Sequence, residues 1–253
     1  MLKILALGNS FSCDCTEHLY KICVSGGYDV KIGNLYIGGC SLKRHAHNVE
    51  NNVADYEYFT NAISQGTGFT ANSVIESERW DVITLQQCSD DSGKEESYHP
   101  YFEFLLSYLR EKQPDARIFV NETWAYETDS SHRAFPDYGC DQKQMFDRLV
   151  HCYESIAHLH NLTLIPVGEV IQLLRSTEGF RYDKGERSLC RDGFHLDFTY
   201  GRYAASAVWF ETVLGGDITD NSYDPVSLEG QNADTKKLIK TIKHTVHGFC
   251  SRF

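Results

Sequence analysis

The chain has 253 residues, of which 42% are hydrophobic, and a formal net charge of −11 at pH 7. This length fits one α/β domain or two small ones, with enough apolar side chains to bury a core without disulfide or metal support. The negative charge disfavours binding to nucleic acid and to anionic membrane surfaces, because both select basic proteins.

Cysteine and histidine usage indicates reduced thiols and no metal centre. Nine cysteines cannot all pair within one chain, no run approaches the roughly 20 apolar residues of a membrane span, and the N-terminus lacks a signal-peptide pattern. We therefore expect a cytoplasmic protein. The tightest clusters lack the spacing of a structural zinc site, so no metal or cofactor is expected: Cys13 with Cys15, His45 with His47, and His158 with His160.

Short β-branched runs alternate with longer amphipathic segments along the chain. The runs predict five strands, over Lys3–Leu7, Asp29–Tyr36, Asp81–Leu85, Arg117–Asn121 and Leu162–Ile165. The apolar periodicity between them predicts helices over Thr16–Ser25, Ala71–Arg79, Tyr98–Lys112, Gln142–His160, Val167–Leu174, Thr199–Leu214 and Asp234–Phe249. Asp55–Phe69 predicts a hairpin outside the main sheet. Such alternation indicates one α/β domain over residues 1–253, with a parallel sheet covered by helices on both faces.

Polar or glycine-rich segments follow four of the predicted strands. Ligands of open α/β sheets bind beyond the carboxyl ends of the strands, so these segments should meet at one edge. They are Gly8-Asn9-Ser10, Gly38-Gly39-Cys40, Gln86-Gln87-Cys88-Ser89-Asp90 and Glu122-Thr123-Trp124-Ala125-Tyr126.

Ser10, Asp192 and His195 are the residue types that acyl transfer requires. A serine hydroxyl is a weak nucleophile until a base takes its proton, and a third group must orient that base. An Asp and a His three residues apart lie on one side of a single turn, so the carboxylate can reach one ring nitrogen while the other faces the serine. The alternatives are a helix-capping role for Ser10, a buried structural role for His195, and Asp197 as the orienting acid.

These segments, in this order, resemble the SGNH hydrolases, also called GDSL esterases. The match is closest to a bacterial domain of unknown function, whose motifs correspond to Gly8–Ser12, Ile37–Leu42, Leu85–Ser89, Thr123–Tyr126 and Arg191–Leu196. The resemblance implies a flavodoxin-like three-layer α/β/α sandwich with five parallel strands in the order 2-1-3-4-5. It also implies that Ser10 is the nucleophile, His195 its general base and Asp192 the orienting acid. The chain departs from the wider superfamily at Asn9, where that superfamily has Asp, and in the third block, which lacks Gly-x-Asn.

Acyl transfer also needs hydrogen-bond donors for the developing oxyanion. We expect the backbone N–H groups of Ser10 and Gly39 and the side-chain amide of Gln86 to supply them. Substrate contacts are expected from Gln87 and from the rings of Trp124 and Tyr126. The alternatives are a tight turn at the glycine, strand-closing hydrogen bonds from the glutamines, and core packing of the two aromatic residues.

The sequence therefore predicts a cofactor-independent serine esterase that removes a short acyl group from a small molecule through an acyl-enzyme. The resemblance implies an acetyl ester on a carbohydrate, and lipid esters and thioesters remain open. The alternatives are a small-molecule-binding protein without catalysis and a member of the superfamily that has kept the fold and lost turnover.

Overall fold

The computed structural model describes residues 1–226, 230 and 232–252. A seven-stranded sheet lies at its centre, in the order β4-β3-β2-β1-β5-β6-β7. The strands are β1 (Leu2–Gly8), β2 (Val30–Tyr36), β3 (Tyr56–Thr60), β4 (Ile63–Phe69), β5 (Val82–Leu85), β6 (Arg117–Asn121) and β7 (Thr163–Ile165). The α-helices are α1 (Ser10–Thr16), α2 (Leu19–Ser25), α3 (Leu42–Glu50), α4 (Ala71–Ile75), α5 (Tyr101–Lys112), α6 (Gln142–His160), α7 (Val167–Leu174), α8 (Tyr200–Leu214) and α9 (Ala233–Cys250).

The five predicted strands form the parallel part of this sheet. They lie in the order β2-β1-β5-β6-β7, which is the expected 2-1-3-4-5 order when only parallel strands are numbered. Helices cover both faces of these strands, which is why they are continuous apolar runs; every residue of β5 is buried. The predicted α/β fold class is confirmed.

The predicted hairpin over Asp55–Phe69 exists, but its placement outside the main sheet was wrong. β3 pairs antiparallel with β2, and β4 pairs antiparallel with β3, so the sheet has seven strands and not five. Without the hairpin, β2 would end the sheet with a row of unpaired backbone groups. The position was hard to predict because β4 is almost entirely exposed and carries no apolar run.

Two further differences lie in the helices. The helix predicted over Thr16–Ser25 corresponds to α2, which begins at Leu19, and a separate helix, α1, precedes it from Ser10 to Thr16. Helix α3 was not predicted, because its buried side of Leu42, His45, Ala46, Asn48 and Val49 is partly polar.

The helices form two layers. One is built around α8, which contacts α1, α2, α7 and α9, while α3 packs against α4 and α5 in the other. Right-handed crossovers between parallel strands account for α5 and α6 lying on the same face. Across the described residues, no helix combines the length and apolarity needed to cross a bilayer.

The loop before α8 is fixed to the start of that helix. The Asp197 carboxylate accepts the N–H groups of Thr199 and Tyr200 at 2.9 Å and of Gly201 at 2.6 Å. Asp197 therefore caps α8. A β-bridge between Cys190 and Leu196 closes the loop that precedes it.

Gly201 tests this packing, because a Cβ there would lie 2.5 Å from the Leu189 carbonyl oxygen and 3.0 Å from Leu196 Cβ. We expect Gly201→Ala to lower the free energy of unfolding by about 1–3 kcal/mol through overpacking. The matched control is Gly248→Ala in α9, where a Cβ meets nothing within 4 Å. That change should raise stability by up to about 1 kcal/mol. Urea denaturation measures both, and equal effects would contradict the packing described.

Candidate active site

Ser10 lies where β1 gives way to α1. β1 ends at Gly8, and Asn9 caps the helix by accepting the Phe11 N–H at its Oδ1, 3.0 Å away. Ser10 is then the first residue of α1. Because Asn9 provides the cap, the Ser10 hydroxyl is not needed for that role and is available to another partner.

Ser10, His195 and Asp192 form one hydrogen-bonded chain. His195 Nε2 lies 2.8 Å from Ser10 Oγ, and His195 Nδ1 lies 2.8 Å from Asp192 Oδ2. The second oxygen of Asp192 accepts the N–H groups of His195 at 2.8 Å and of Phe194 at 3.2 Å. Burial acts to raise the pKa of Asp192, but the hydrogen bonds from the His195 ring and from both backbone N–H groups outweigh it and lower that pKa. The carboxylate is therefore ionised at neutral pH and can hold His195 with Nε2 directed at the serine.

Asp14 holds the loop that carries Asp192 and His195 against α1. It lies one turn after Ser10 on the same helix and is fully buried. Its carboxylate accepts Nε of Arg202 at 2.7 Å, Nη1 of Arg191 at 3.1 Å and the N–H of Leu196 at 2.9 Å. This role of Asp14 was not predicted, because its only signal in the sequence is an acidic residue four positions after the serine.

Trp124 contacts both α1, which carries Ser10, and the loop that carries His195. Its ring stacks on Phe11 with the centroids 4.1 Å apart, and its Nε1 donates to the Phe194 carbonyl at 2.7 Å. Trp124 and Tyr126 are both fully buried, and the Tyr126 hydroxyl donates to Ser89. The expectation that these two aromatic residues contact substrate was therefore wrong, because they pack in the core behind the site.

Gln86 does not point into an oxyanion hole. Its Nε2 donates to Asn9 Oδ1 at 2.9 Å, its Oε1 accepts Nδ2 of Asn121 at 2.8 Å, and its side chain is only 1% exposed. The expectation that Gln86 stabilises the oxyanion was wrong in this geometry. Its amide is used to hold Asn9.

Gln87 is a buried connector and not a substrate ligand, so that expectation was also wrong. Its Oε1 accepts the N–H groups of Leu42 and Cys88, both at 2.9 Å, and its Nε2 donates to the Ser97 carbonyl and hydroxyl, both at 3.0 Å. These bonds join the end of β5 to the start of α3.

Two of the expected oxyanion donors remain available. Within the described residues, the N–H groups of Ser10 and Gly39 donate to no protein acceptor. Gly39 lies in an exposed turn at φ +60°, with open space where a Cβ would lie. Both N–H groups can therefore donate to a bound ligand.

A cleft of about 330 Å³ opens beside Ser10. It lies between α1 and the β2–β3 part of the sheet, and its lining residues are Ser10, Cys13, Asp14, Thr16, Glu17, Asn34, Tyr36, Glu57, Phe59, Ala62, Arg191 and Arg202. The cleft was not predicted because part of its lining comes from β3, in the hairpin that was expected outside the sheet.

The nearby thiols are poorly suited to act as nucleophiles. Burial raises the pKa of Cys13 to about 12 and also raises the pKa of the fully buried Cys15. Both thiols are therefore protonated at neutral pH, whereas the reactive form of cysteine is the thiolate.

Away from this edge, Glu211, Asp217 and His247 place one possible ligand atom each within 4.8 Å of one another. His247 Nδ1 is hydrogen-bonded to the Glu211 carboxylate at 3.1 Å and lies 3.3 Å from that of Asp217, so the contacts of His247 with the two carboxylates account for their proximity. None of the cysteine or histidine clusters noted in the sequence takes part.

Comparison with known proteins places this chain in a family. A family model described as a domain of unknown function, DUF4886, matches residues 3–245. The chain belongs to the DUF4886 family. A crystal structure of a DUF4886 family protein from Bacteroides uniformis ATCC 8492 has 34% sequence identity and a TM-score of 0.87, with 98% of this chain and 95% of that chain covered. A comparison with curated proteins gives no match.

More distant structures share the fold of this DUF4886 protein. A catalytic mutant of Axe2, an acetylxylan esterase from Geobacillus stearothermophilus, has 12% identity and a TM-score of 0.53, with 84% of this chain and 94% of that chain covered. A member of the lipolytic protein G-D-S-L family from Veillonella parvula DSM 2008 has 15% identity and a TM-score of 0.52, with 85% and 99% covered. The predicted resemblance to SGNH hydrolases, or GDSL esterases, is thereby confirmed at the level of the fold.

Asn9 allows a direct test of the motif. Its Nδ2 donates to the Cys40 carbonyl at 3.0 Å, whereas an aspartate would place a carboxylate oxygen against that carbonyl. We expect Asn9→Asp to destabilise the fold by about 1–3 kcal/mol, since a buried hydrogen bond is replaced by two facing acceptors. Asn232→Asp adds the same charge at the exposed N-cap of α9, where aspartate and asparagine are about equally favourable, and should change stability little. Thermal denaturation of both variants measures the difference, and similar melting temperatures would contradict this role of Asn9.

Proposed function

We propose that the protein is a serine esterase that hydrolyses short-acyl esters of small molecules through Ser10, His195 and Asp192. The observation that carries the proposal is the 2.8 Å separation between Ser10 Oγ and His195 Nε2, with Asp192 on the opposite ring nitrogen. A nucleophile, a base and an orienting acid in hydrogen-bond contact are the arrangement that acyl transfer needs.

In the proposed reaction, His195 Nε2 takes the Ser10 proton as Oγ attacks the ester carbonyl carbon. The tetrahedral oxyanion accepts hydrogen bonds from the N–H groups of Ser10 and Gly39, and Asp192 stabilises the imidazolium. When the intermediate collapses, the C–O bond to the alcohol breaks and His195 donates the proton to the departing oxygen. Water then attacks the acyl-enzyme carbonyl while His195 takes its proton; the bond between the acyl carbon and Ser10 Oγ breaks, His195 returns the proton to Oγ, and the acid leaves.

The charged lining of the cleft favours a short acyl group over a long one. Its lining includes three carboxylates and two guanidinium groups, from Asp14, Glu17, Glu57, Arg191 and Arg202. A long aliphatic chain there would displace water from charged groups without replacing their hydrogen bonds. The acetylxylan esterase among the fold relatives supports an acetyl ester of a carbohydrate as the finer form of this proposal.

Replacement of Ser10 tests the proposal. We expect Ser10→Ala to reduce kcat for p-nitrophenyl acetate by about 10³-fold or more, because loss of a nucleophile removes the covalent route. Ser25→Ala is the control, since Ser25 lies at the end of α2 and is exposed. Turnover by Ser10→Ala equal to that of the wild type would exclude Ser10 from the mechanism.

A further inference from the structure

The floor of the cleft is a patch of four side chains from β2 and β3. In the antiparallel register, Tyr36 lies opposite Glu57 and Asn34 lies opposite Phe59. Directly opposed residues of an antiparallel pair project from the same face of the sheet, and residues two apart in one strand share that face. All four line the cleft that contains Ser10.

Two aromatic rings form one corner of this patch. The rings of Tyr36 and Phe59 meet edge to face, with centroids 5.9 Å apart and an interplanar angle of 80°. Both residues are half-buried, so part of each ring faces the cleft. Unlike Trp124, which is sealed in the core, these rings are open to a ligand.

Polar groups beside the rings are available for hydrogen bonding. Within the described residues, the Tyr36 hydroxyl makes no hydrogen bond, and Glu57 accepts only the Ser64 hydroxyl, at 2.5 Å, and pairs with no lysine or arginine. Asn34 is not available in this way, because its side-chain amide is already hydrogen-bonded to Ser12 and Cys13. The patch therefore offers one donor and one carboxylate next to an aromatic corner.

The remaining charges of the cleft do not favour an anionic ligand. Arg191 and Arg202 both bind the buried Asp14 carboxylate, and Arg202 also pairs with Glu17. Glu57 is left as a carboxylate without a countercharge. A neutral polar ligand is therefore preferred to an anionic one.

We infer that this patch binds the sugar ring of the leaving alcohol, with Phe59 and Glu57 determining specificity. A pyranose ring has apolar C–H faces that pack on aromatic rings and hydroxyl groups that donate to a carboxylate or accept from a phenol. The inference rests on the proposed esterase function, because it places the acyl group at Ser10 and the sugar over β2 and β3. The hairpin thus supplies a substrate subsite as well as the edge of the sheet.

The test compares two acetate esters that differ only in the alcohol, a monoacetylated methyl xylopyranoside and ethyl acetate. We expect the wild type to have the higher kcat/KM on the sugar ester. Phe59→Ala and Glu57→Gln should each lower kcat/KM for the sugar ester about tenfold and change that for ethyl acetate less than about twofold.

Tyr58→Ala is the matched control, because Tyr58 follows Glu57 in β3 but projects from the other face, where it packs against Phe69. It should leave the ratio of the two kcat/KM values unchanged. Equal wild-type activity on the two esters, or an unchanged ratio in Phe59→Ala and Glu57→Gln, would overturn the subsite while leaving the esterase proposal intact. Failure of the wild type to hydrolyse either ester would instead count against the esterase function itself.

Discussion

The candidate site depends on the hydrogen bonds and ion pairs of the buried Asp14 carboxylate. Ser10 and His195 are 185 residues apart in the chain, so their contact must be held by tertiary structure. Asp14 lies one helical turn from Ser10, and Leu196, whose N–H it accepts, directly follows His195. A fully buried charge is tolerated only when it is paired and hydrogen-bonded, and Arg191 and Arg202 provide the pairing. The two arginines therefore offset the cost of burying Asp14, and Asp14 in turn joins the helix that carries Ser10 to the residue that follows His195.

A second, uncharged network organises the ends of the neighbouring strands. Asn9 donates to the Cys40 carbonyl and accepts from Gln86, and Gln86 in turn accepts from Asn121. Trp209 completes the network by donating its Nε1 to Asn121. Such networks specify one arrangement when every member is satisfied. The two positions at which the sequence departs from the SGNH motifs are thus linked, because the side chains of Asn9 and Gln86 bind each other. The oxyanion donors that remain free are backbone groups.

The parallel part of the sheet and the position of the candidate site could be predicted from sequence, for identifiable physical reasons. Parallel strands are buried on both faces, so their apolar runs were visible in the sequence. The rule that strand ends meet at one edge placed Ser10 there, whereas the pairing of Ser10 with His195 came from the residue types and the resemblance to SGNH hydrolases. Which way a polar side chain turns at that edge depends on partners distant in sequence. Gln86, Gln87, Trp124 and Tyr126 therefore fell in the right region but were assigned the wrong role. The cleft was not predicted because Glu57 and Phe59 of its lining come from β3, a half-buried strand of mixed composition whose pairing to β2 leaves no apolar signature.

The central claim is that Ser10 is an activated nucleophile in the folded protein. The most direct measurement is reaction with a fluorophosphonate, followed by mass spectrometry of the intact protein and of its peptides. The account predicts one adduct per chain, located on Ser10, and no adduct after heat denaturation. A folded protein that remains unlabelled, or that carries the adduct on another residue, would contradict it and would favour a protein that binds small molecules without covalent catalysis.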